Sequence, residues 1–474
     1  MEFEAIIGLE IHVQLKTCSK MFCGCANVTG RAPNTVVCPV CLGYPGALPV
    51  MNAEAVRLTV QAGLLLNCRI NLFSKWDRKN YFYPDQAKNY QISQYDQPLC
   101  LGGSVGISVD GTEREVRLTR IHLEEDVAKN IHFESSSGVD FNRAGTPLME
   151  IVTEPDLHSA DETYAFLQAL KQILAYGEIS DCNLEEGNVR CDINCSVRPV
   201  GQRELGVKTE IKNMNSFKGV HRALSYEIER QKRVLSGGGT IVQETRRWDD
   251  VAGMTQLMRS KEYAHDYRYF PEPDLVPVEL TEAQVESWGA TLPELPAARR
   301  RRFVEAYGLP DYDAGVLVAE KRIADFYEAV AQACGNYKAA SNWVMGETMR
   351  ALSEANMEVD ASPLRPEALA GLIQLVDQKT LNMPAAKEVF QVLFTEGGEP
   401  KAIVEARSLA QVSDSGELEG FVEQVLEAHP QSVEAYRGGK ANAIQHLMGQ
   451  VMRLSRGKAN PQVVLDLLRS RLDG

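Results

Sequence analysis

Ile6-Ile7-Gly8-Leu9-Glu10-Ile11-His12-Val13-Gln14-Leu15 alternates apolar with polar residues at every step from Ile7 onward. A period of two is the signature of a half-buried strand. Ile7, Leu9, Ile11, Val13 and Leu15 share one face, and Glu10 and His12 stand side by side on the other. A Glu-x-His pair on a strand can chelate a metal or hold a proton. It can equally be a solvated edge that happens to carry a histidine.

The same design returns further on. Val189, Cys191, Ile193, Cys195 and Val197 alternate with Arg190, Asp192, Asn194, Ser196 and Arg198, and Val207, Thr209 and Ile211 alternate with Lys208, Glu210 and Lys212. Strands of this kind, laid antiparallel and backed by helices, make a sheet with one wet, charged surface. Carboxylates from several strands can there coordinate hard cations while Lys or Arg neutralises phosphate oxygens, the alternative being a merely solvated face. Ile121-His122-Leu123-Glu124-Glu125-Asp126 is strand-like and ends in three acids. Glu150 lies among Leu148, Met149, Ile151 and Val152. A carboxylate buried in such a run must be paired, protonated or bound to a cation. Helices are expected after Asn52, after Ser159 with Glu162 as a capping box, and over residues 217–235 before Ser236-Gly237-Gly238-Gly239. The expected fold class is α+β.

Of eleven cysteines, four cluster as Cys23-Gly24-Cys25 and Cys38-Pro39-Val40-Cys41. Two close thiol pairs in a Gly- and Pro-containing loop match a Cys₄ zinc site, four buried free thiols being the alternative. Such a site has no open ligand position, so its role is structural. Between Arg78 and Gln91, tyrosines and lysines interleave without helical or strand period. This reads as a loop lining a site, or one packed on the domain through its rings. Ser260 to Asp274 forms a second polar–aromatic set. Gly102-Gly103-Ser104-Val105-Gly106 superficially resembles an amidase nucleophile loop, but no Ser-Ser pair or matching lysine accompanies it, and it reads as a turn.

A chain of 474 residues is too long for one core. Leu292-Pro293-Glu294-Leu295-Pro296 marks a change to helical patterns, and a looser break falls near residue 407. The expected domains are 1–292, 293–406 and 407–474. The net charge of −14 argues against nucleic-acid binding over the whole surface. Residues 431–474, however, carry seven basic side chains against three acidic ones. That tail suits a polyanion contact or a solvated helix face. Gly439-Lys440-Ala441-Asn442 recurs as Gly457-Lys458-Ala459-Asn460 around a helix. No run of about 18 uncharged apolar residues appears, and the N-terminus lacks the basic region of an export signal. No membrane association is expected, and the cytoplasm is the expected compartment.

Residues 8–15, 38–49, 78–94, 141–155 and 262–274, with the two Gly-Lys-Ala-Asn copies, carry a resemblance over nearly the full length. The chain resembles the B subunits of tRNA-dependent amidotransferases, which convert Glu-tRNA(Gln) to Gln-tRNA(Gln) and in many organisms Asp-tRNA(Asn) to Asn-tRNA(Asn). The resemblance implies a glutamine-synthetase-like antiparallel-sheet cradle with flanking helices, then all-α helical and YqeY-like tail domains, the tail helping to hold tRNA. It implies a heterotrimer with an amidase A subunit, which releases ammonia from glutamine, and a small C subunit. ATP and Mg²⁺ would serve to phosphorylate the substrate's side-chain carboxylate before ammonia displaces the phosphate. By the same resemblance His12, Glu125 and Glu150 match metal-site positions, and Glu10, Asp192 and Glu210 are further metal or ATP ligands. Lys79, Tyr81 and Lys88 fall in the loop lining the ammonia route and acceptor pocket, and Cys23, Cys25, Cys38 and Cys41 match a zinc site. No Walker-type phosphate loop occurs, so a sheet-based metal site is the consistent alternative. A noncatalytic, zinc-held tRNA-binding scaffold and a ligase acting on free glutamate are the competing readings.

Overall fold

The structure is a computed structural model that describes residues 2–184, 187–260, 267–411, 415–455 and 459–473. Residues 261–266 of the second polar–aromatic set, Gly457 and Lys458 of the second Gly-Lys-Ala-Asn copy, and the basic Arg456 before it lie outside the described residues. The chain divides into two units, Met1–Pro296 and Ala297–Gly474.

The first unit is built on strands β1 (Phe3–Gln14), β2 (Asp77–Asn80), β3 (Tyr90–Ser93), β4 (Ser104–Val109) and β5 (Thr112–Glu125). They are followed by β6 (Pro147–Thr153), β7 (Val189–Pro199), β8 (Thr209–Lys212), β9 (Glu244–Asp249) and β10 (Met254–Ser260). The main sheet runs β10-β9-β8-β7-β1-β6-β5 and ends in two short strands, with β4 also paired to β5. β1 is therefore interior, with β6 on one side and β7 on the other, both antiparallel. The β8–β9 pair is parallel. Helix α3 (Phe217–Ser236) fills that connection, the kind of long crossover a parallel pair requires. The sheet expected to be antiparallel is thus mixed.

Ile7, Leu9, Ile11 and Val13 on β1 are buried in one cluster with Phe166, Leu167 and Leu170 of α2 (Ala160–Tyr176) and Val220, Ala223 and Leu224 of α3. Burying this face of every strand sends the alternate residues to the other face, because a one-residue slip would exchange the two. The helices begin where the caps predict. Asn52 accepts from the amides of Glu54 and Ala55 at the start of α1 (Ala53–Leu65), and Ser216 accepts from Gly219 at the start of α3. The Ser159 hydroxyl accepts from the Glu162 amide, while the Glu162 carboxylate reaches one residue beyond the expected box, to the amide of His158 at 2.7 Å. Asp110 and Gly111, with φ of 50° and 77°, close the β4–β5 hairpin, and Gly102 and Gly103 turn the chain into β4.

The second unit is helical throughout its described residues. Its apolar side chains form two clusters, one from Phe303 to Val404 and one from Leu418 to Leu472. In the second, Asn460 accepts from the amides of Gln462 and Val463 at the start of helix Pro461–Asp473. Among the described residues no helix is long and apolar enough to cross a membrane.

Candidate active site

The polar face of the sheet is assembled by register. His12 stands opposite Glu150 on β6 and Arg190 on β7, Glu150 stands opposite His122 on β5, and Glu10 stands opposite Asp192. Directly opposed residues of an antiparallel pair project to the same side. One band therefore collects two histidines and two carboxylates. His12 Nε2 lies 3.2 Å from Glu150 Oε2 and 3.5 Å from Glu124 Oε1. His122 Nε2 approaches the same two carboxylates at 3.6 and 3.8 Å. Glu124, Glu150 and His122 are buried, and His12 alone of the four reaches solvent appreciably.

Charge holds this cluster together. Burial works against ionising Glu150, but His122, His12 and Lys79 more than compensate and keep its pKa well below the carboxylate range. Burial likewise opposes Glu124, and Lys79 is the largest of the groups that lower it. Lys79 is itself desolvated, yet Glu124, then Tyr269 and Glu150, raise it above the ordinary lysine value. His12 is raised by Glu150 and Glu124 against the opposing effect of burial. The two buried carboxylates are thus held ionised by the lysine and the two imidazoles around them. Ligand atoms of His12, Glu124 and Glu150 lie within 4.8 Å of one another, a spacing one metal ion can bridge. Two hard oxygen donors with one imidazole fit a divalent cation that keeps positions for water or phosphate.

Glu125 was expected in this set, and the structure places it elsewhere. As the last residue of β5 it has the opposite parity to Glu124. Its carboxylate takes Lys88 Nζ at 2.6 Å and the Ile92 amide at 3.1 Å, and it lines a small cavity of about 20 Å³ together with Phe22, Cys23 and Cys41. Lys88 therefore faces the cysteine loop. Lys79 on β2 is the lysine that senses the carboxylate pair, and it lies 5.2 Å from the Tyr267 ring centre. Tyr81 stacks on Tyr83 at 5.8 Å and meets Tyr267 edge-on. Glu10 accepts from Asn194 at 3.0 Å. Asp192 and Glu210 share Lys212, and Glu210 also accepts from Thr245 at 2.7 Å. These three acids extend the band along β1, β7 and β8, outside the His12 cluster.

The four cysteines converge. Their sulfurs all lie within 4.8 Å of one another, and Cys38 and Cys41 are 3.8 Å apart. Zinc–sulfur bonds of about 2.3 Å in a tetrahedron require sulfurs about 3.8 Å apart, so the set fits such an ion. The Cys23 thiol donates to Cys41, and with the Cys38 amide and the Lys20 charge it pulls the Cys41 thiol down to about 4, although burial acts against this. Cys25 is pushed up to about 11, first by burial and then by Cys38. Without a cation one thiolate forces its neighbours to stay protonated. A divalent ion removes that conflict.

With this geometry in hand, comparison with known proteins decides the lineage. Residues 5–286 match the family model described as the GatB/GatE catalytic domain, and residues 325–472 match the one described as the GatB domain. The chain belongs to the GatB family. It is 54% identical over 474 residues, the whole of both chains, to a protein of Caldanaerobacter subterraneus subsp. tengcongensis named as the B subunit of an aspartyl/glutamyl-tRNA(Asn/Gln) amidotransferase. Proteins of the same name from Thermoanaerobacter sp. (strain X514) and Chlorobium chlorochromatii (strain CaD3) are 52% and 51% identical, again over the whole of both chains.

For this GatB chain, sequence reasoning missed Glu124, His122, Arg190 and Asp126. Parity carried a signal for the first two. Ile121 and Leu123 belong to the apolar face, which sends His122 and Glu124 to the side of His12. Asp126, just beyond β5, is buried and accepts from Arg190 at 2.8 Å and Gln14 at 3.0 Å, with Arg143 at 3.6 Å. Nothing local in the sequence announces that convergence.

Proposed function

We propose that this chain is the activating subunit of a tRNA-dependent amidotransferase, acting on the side-chain carboxylate of Glu-tRNA(Gln) and also of Asp-tRNA(Asn). The observation that carries the reading is the His12–Glu124–Glu150 cluster on the wet face of a sheet, inside the segment that matches the GatB/GatE catalytic domain. A carboxylate oxygen of the substrate bonds to the γ-phosphorus of ATP as ADP leaves. Ammonia then bonds to the acyl carbon, and phosphate leaves with that oxygen. His12, Glu124 and Glu150 would hold Mg²⁺, which would supply neutralisation of phosphate charge during the transfer. Lys79 supplies a fixed positive charge beside the two carboxylates. Glu10, Asp192 and Glu210 are assigned to nucleotide or further cation binding. Lys79, Tyr81 and Lys88 are assigned to the acceptor pocket and ammonia route, and Glu125, paired with Lys88, goes with them rather than with the metal.

The cysteine quartet would hold structural zinc. The tail 407–474 is assigned to tRNA, supported by exposed Arg453 and Arg469 on its helices and exposed Lys440 between two of them. An amidase and a small third protein, the A and C members of the heterotrimer, complete the assembly in the cytoplasm. A scaffold without chemistry would have no use for two desolvated carboxylates poised around a histidine.

The donor comparison tests this division of labour. The full-length chain, assayed alone with Glu-tRNA(Gln), ATP and Mg²⁺, should amidate its substrate with ammonium chloride and show no activity with glutamine. Glutamine-dependent product from the chain alone would refute it.

A further inference from the structure

Lys20 is 1% exposed, yet among the described residues no carboxylate pairs with it. Its ammonium donates to the Val36 carbonyl at 2.9 Å, to the Phe141 carbonyl at 3.4 Å and to Cys41 Sγ at 3.7 Å. A buried ammonium served only by neutral carbonyls leaves most of its desolvation cost uncompensated. Among the described residues bonded to Lys20, the sulfur quartet is the group able to carry the opposite charge. Four thiolates around a divalent ion remain doubly anionic, and a buried ammonium against one of them balances part of that excess.

The contacts of Lys20 also lead somewhere. The segment between the two cysteine pairs is stitched to the chain that precedes β6. Val36 donates its amide to Asn142 Oδ1 at 2.9 Å, Asn142 Nδ2 donates to the Ala32 carbonyl at 2.7 Å, and the Phe141 amide donates to Asn34 Oδ1 at 2.7 Å. The Met21 amide reaches the Gly145 carbonyl at 2.6 Å. Gly145 has φ of +83°, and a Cβ there would stand 3.5 Å from Lys20 Cδ and 3.6 Å from Cys41 Cβ. The same turn bonds twice to Asp126, Gly145 donating at 2.9 Å and Thr146 accepting at 2.8 Å. Two residues before Asp126 is Glu124, and four residues after Thr146 is Glu150.

We propose that Lys20 is the positioning residue of the cysteine centre: it balances the metal–tetrathiolate charge, and through its bond to the Phe141 carbonyl it couples metal occupancy to the turn at residues 141–146 that seats Glu124 and Glu150. The inference rests on reading the quartet as a metal centre, and the experiment separates the two. Purified full-length protein is first analysed for metal, with about one zinc per chain expected. Chains without bound metal would overturn that reading, and the inference with it. Zinc release to a chromogenic chelator is then followed for wild type, Lys20→Met and Lys20→Arg. The methionine variant should release zinc at least about tenfold faster, with arginine nearer wild type. Equal rates in all three would overturn the role of Lys20 while leaving the metal centre standing. In wild type alone, stripping zinc should speed hydrogen exchange at Ala144, Gly145 and Thr146 at least about tenfold and leave the hairpin at Asp110-Gly111 unchanged. Unchanged exchange at the turn would overturn the coupling even if the methionine variant fails to fold.

Discussion

Glu150→Ala should abolish ATP-dependent amidation, lowering kcat by at least about 10³-fold while tRNA affinity stays within about twofold of wild type. The alanine removes one of two carboxylates that share His12 and His122 and leaves Glu124 to face Lys79 without its anionic partner. Glu124→Gln should have a loss of the same order, because its Oε1 lies 3.5 Å from the same imidazole. Glu125→Gln is the informative contrast. Its carboxylate serves Lys88 and the Ile92 amide rather than His12, so Glu-tRNA-dependent ADP formation should stay within about tenfold of wild type. Steady-state assays with ammonium as donor, and filter binding of tRNA, read all three variants. Robust amidation by Glu150→Ala, or a Glu125→Gln defect in ATP cleavage equal to that of Glu124→Gln, would contradict the ligand set.

The second large effect is on stability. Asp126→Ala should destabilise the first unit by about 3 kcal/mol, the low end for breaking a buried pair, because Arg190 and Arg143 still reach water. Burial opposes ionisation of Asp126, but Arg190 first and Arg143 next outweigh it, so its pKa lies below the ordinary aspartate value. A carboxylate depressed on folding contributes stability above its unfolded pKa of about 3.9 and loses it as pH falls through the folded value. Urea denaturation at pH 7 should show the loss, and the difference between wild type and variant should shrink as the pH falls below about 4. A variant as stable as wild type at pH 7 would mean that the Asp126 network adds nothing.

How much of this was legible in the sequence follows from which interactions are local. Alternation along residues 6–15 sufficed for a half-buried β1, and the same pattern in residues 189–197 and 209–212 revealed strands that share its polar face. The cysteine spacing announced a four-sulfur cluster, since the members of each pair are only two or three positions apart. Register is not local. Glu124, Glu125 and Asp126 are three adjacent acids, and only the pairing of β5 with β6 turns one toward His12, one toward Lys88 and one toward Arg190. Parity with Ile121 and Leu123 would have favoured Glu124 over Glu125. The partners of Asp126 and the burial of Lys20 depend on contacts between segments far apart in the chain, and no pattern in the sequence foretold them. The parallel β8–β9 pair was hidden for the same reason, because α3 reads as an ordinary helix until its two flanking strands are seen side by side.

The central claim is that this polar face activates a carboxylate by phosphoryl transfer, and oxygen bookkeeping tests it most directly. Glu-tRNA(Gln) labelled with ¹⁸O in both side-chain carboxylate oxygens is amidated by the full-length protein with ATP, Mg²⁺ and ammonium, and the inorganic phosphate is analysed by mass spectrometry. One ¹⁸O should appear in the phosphate for each amide formed, and none from Glu150→Ala. Amide formed with unlabelled phosphate would contradict that claim.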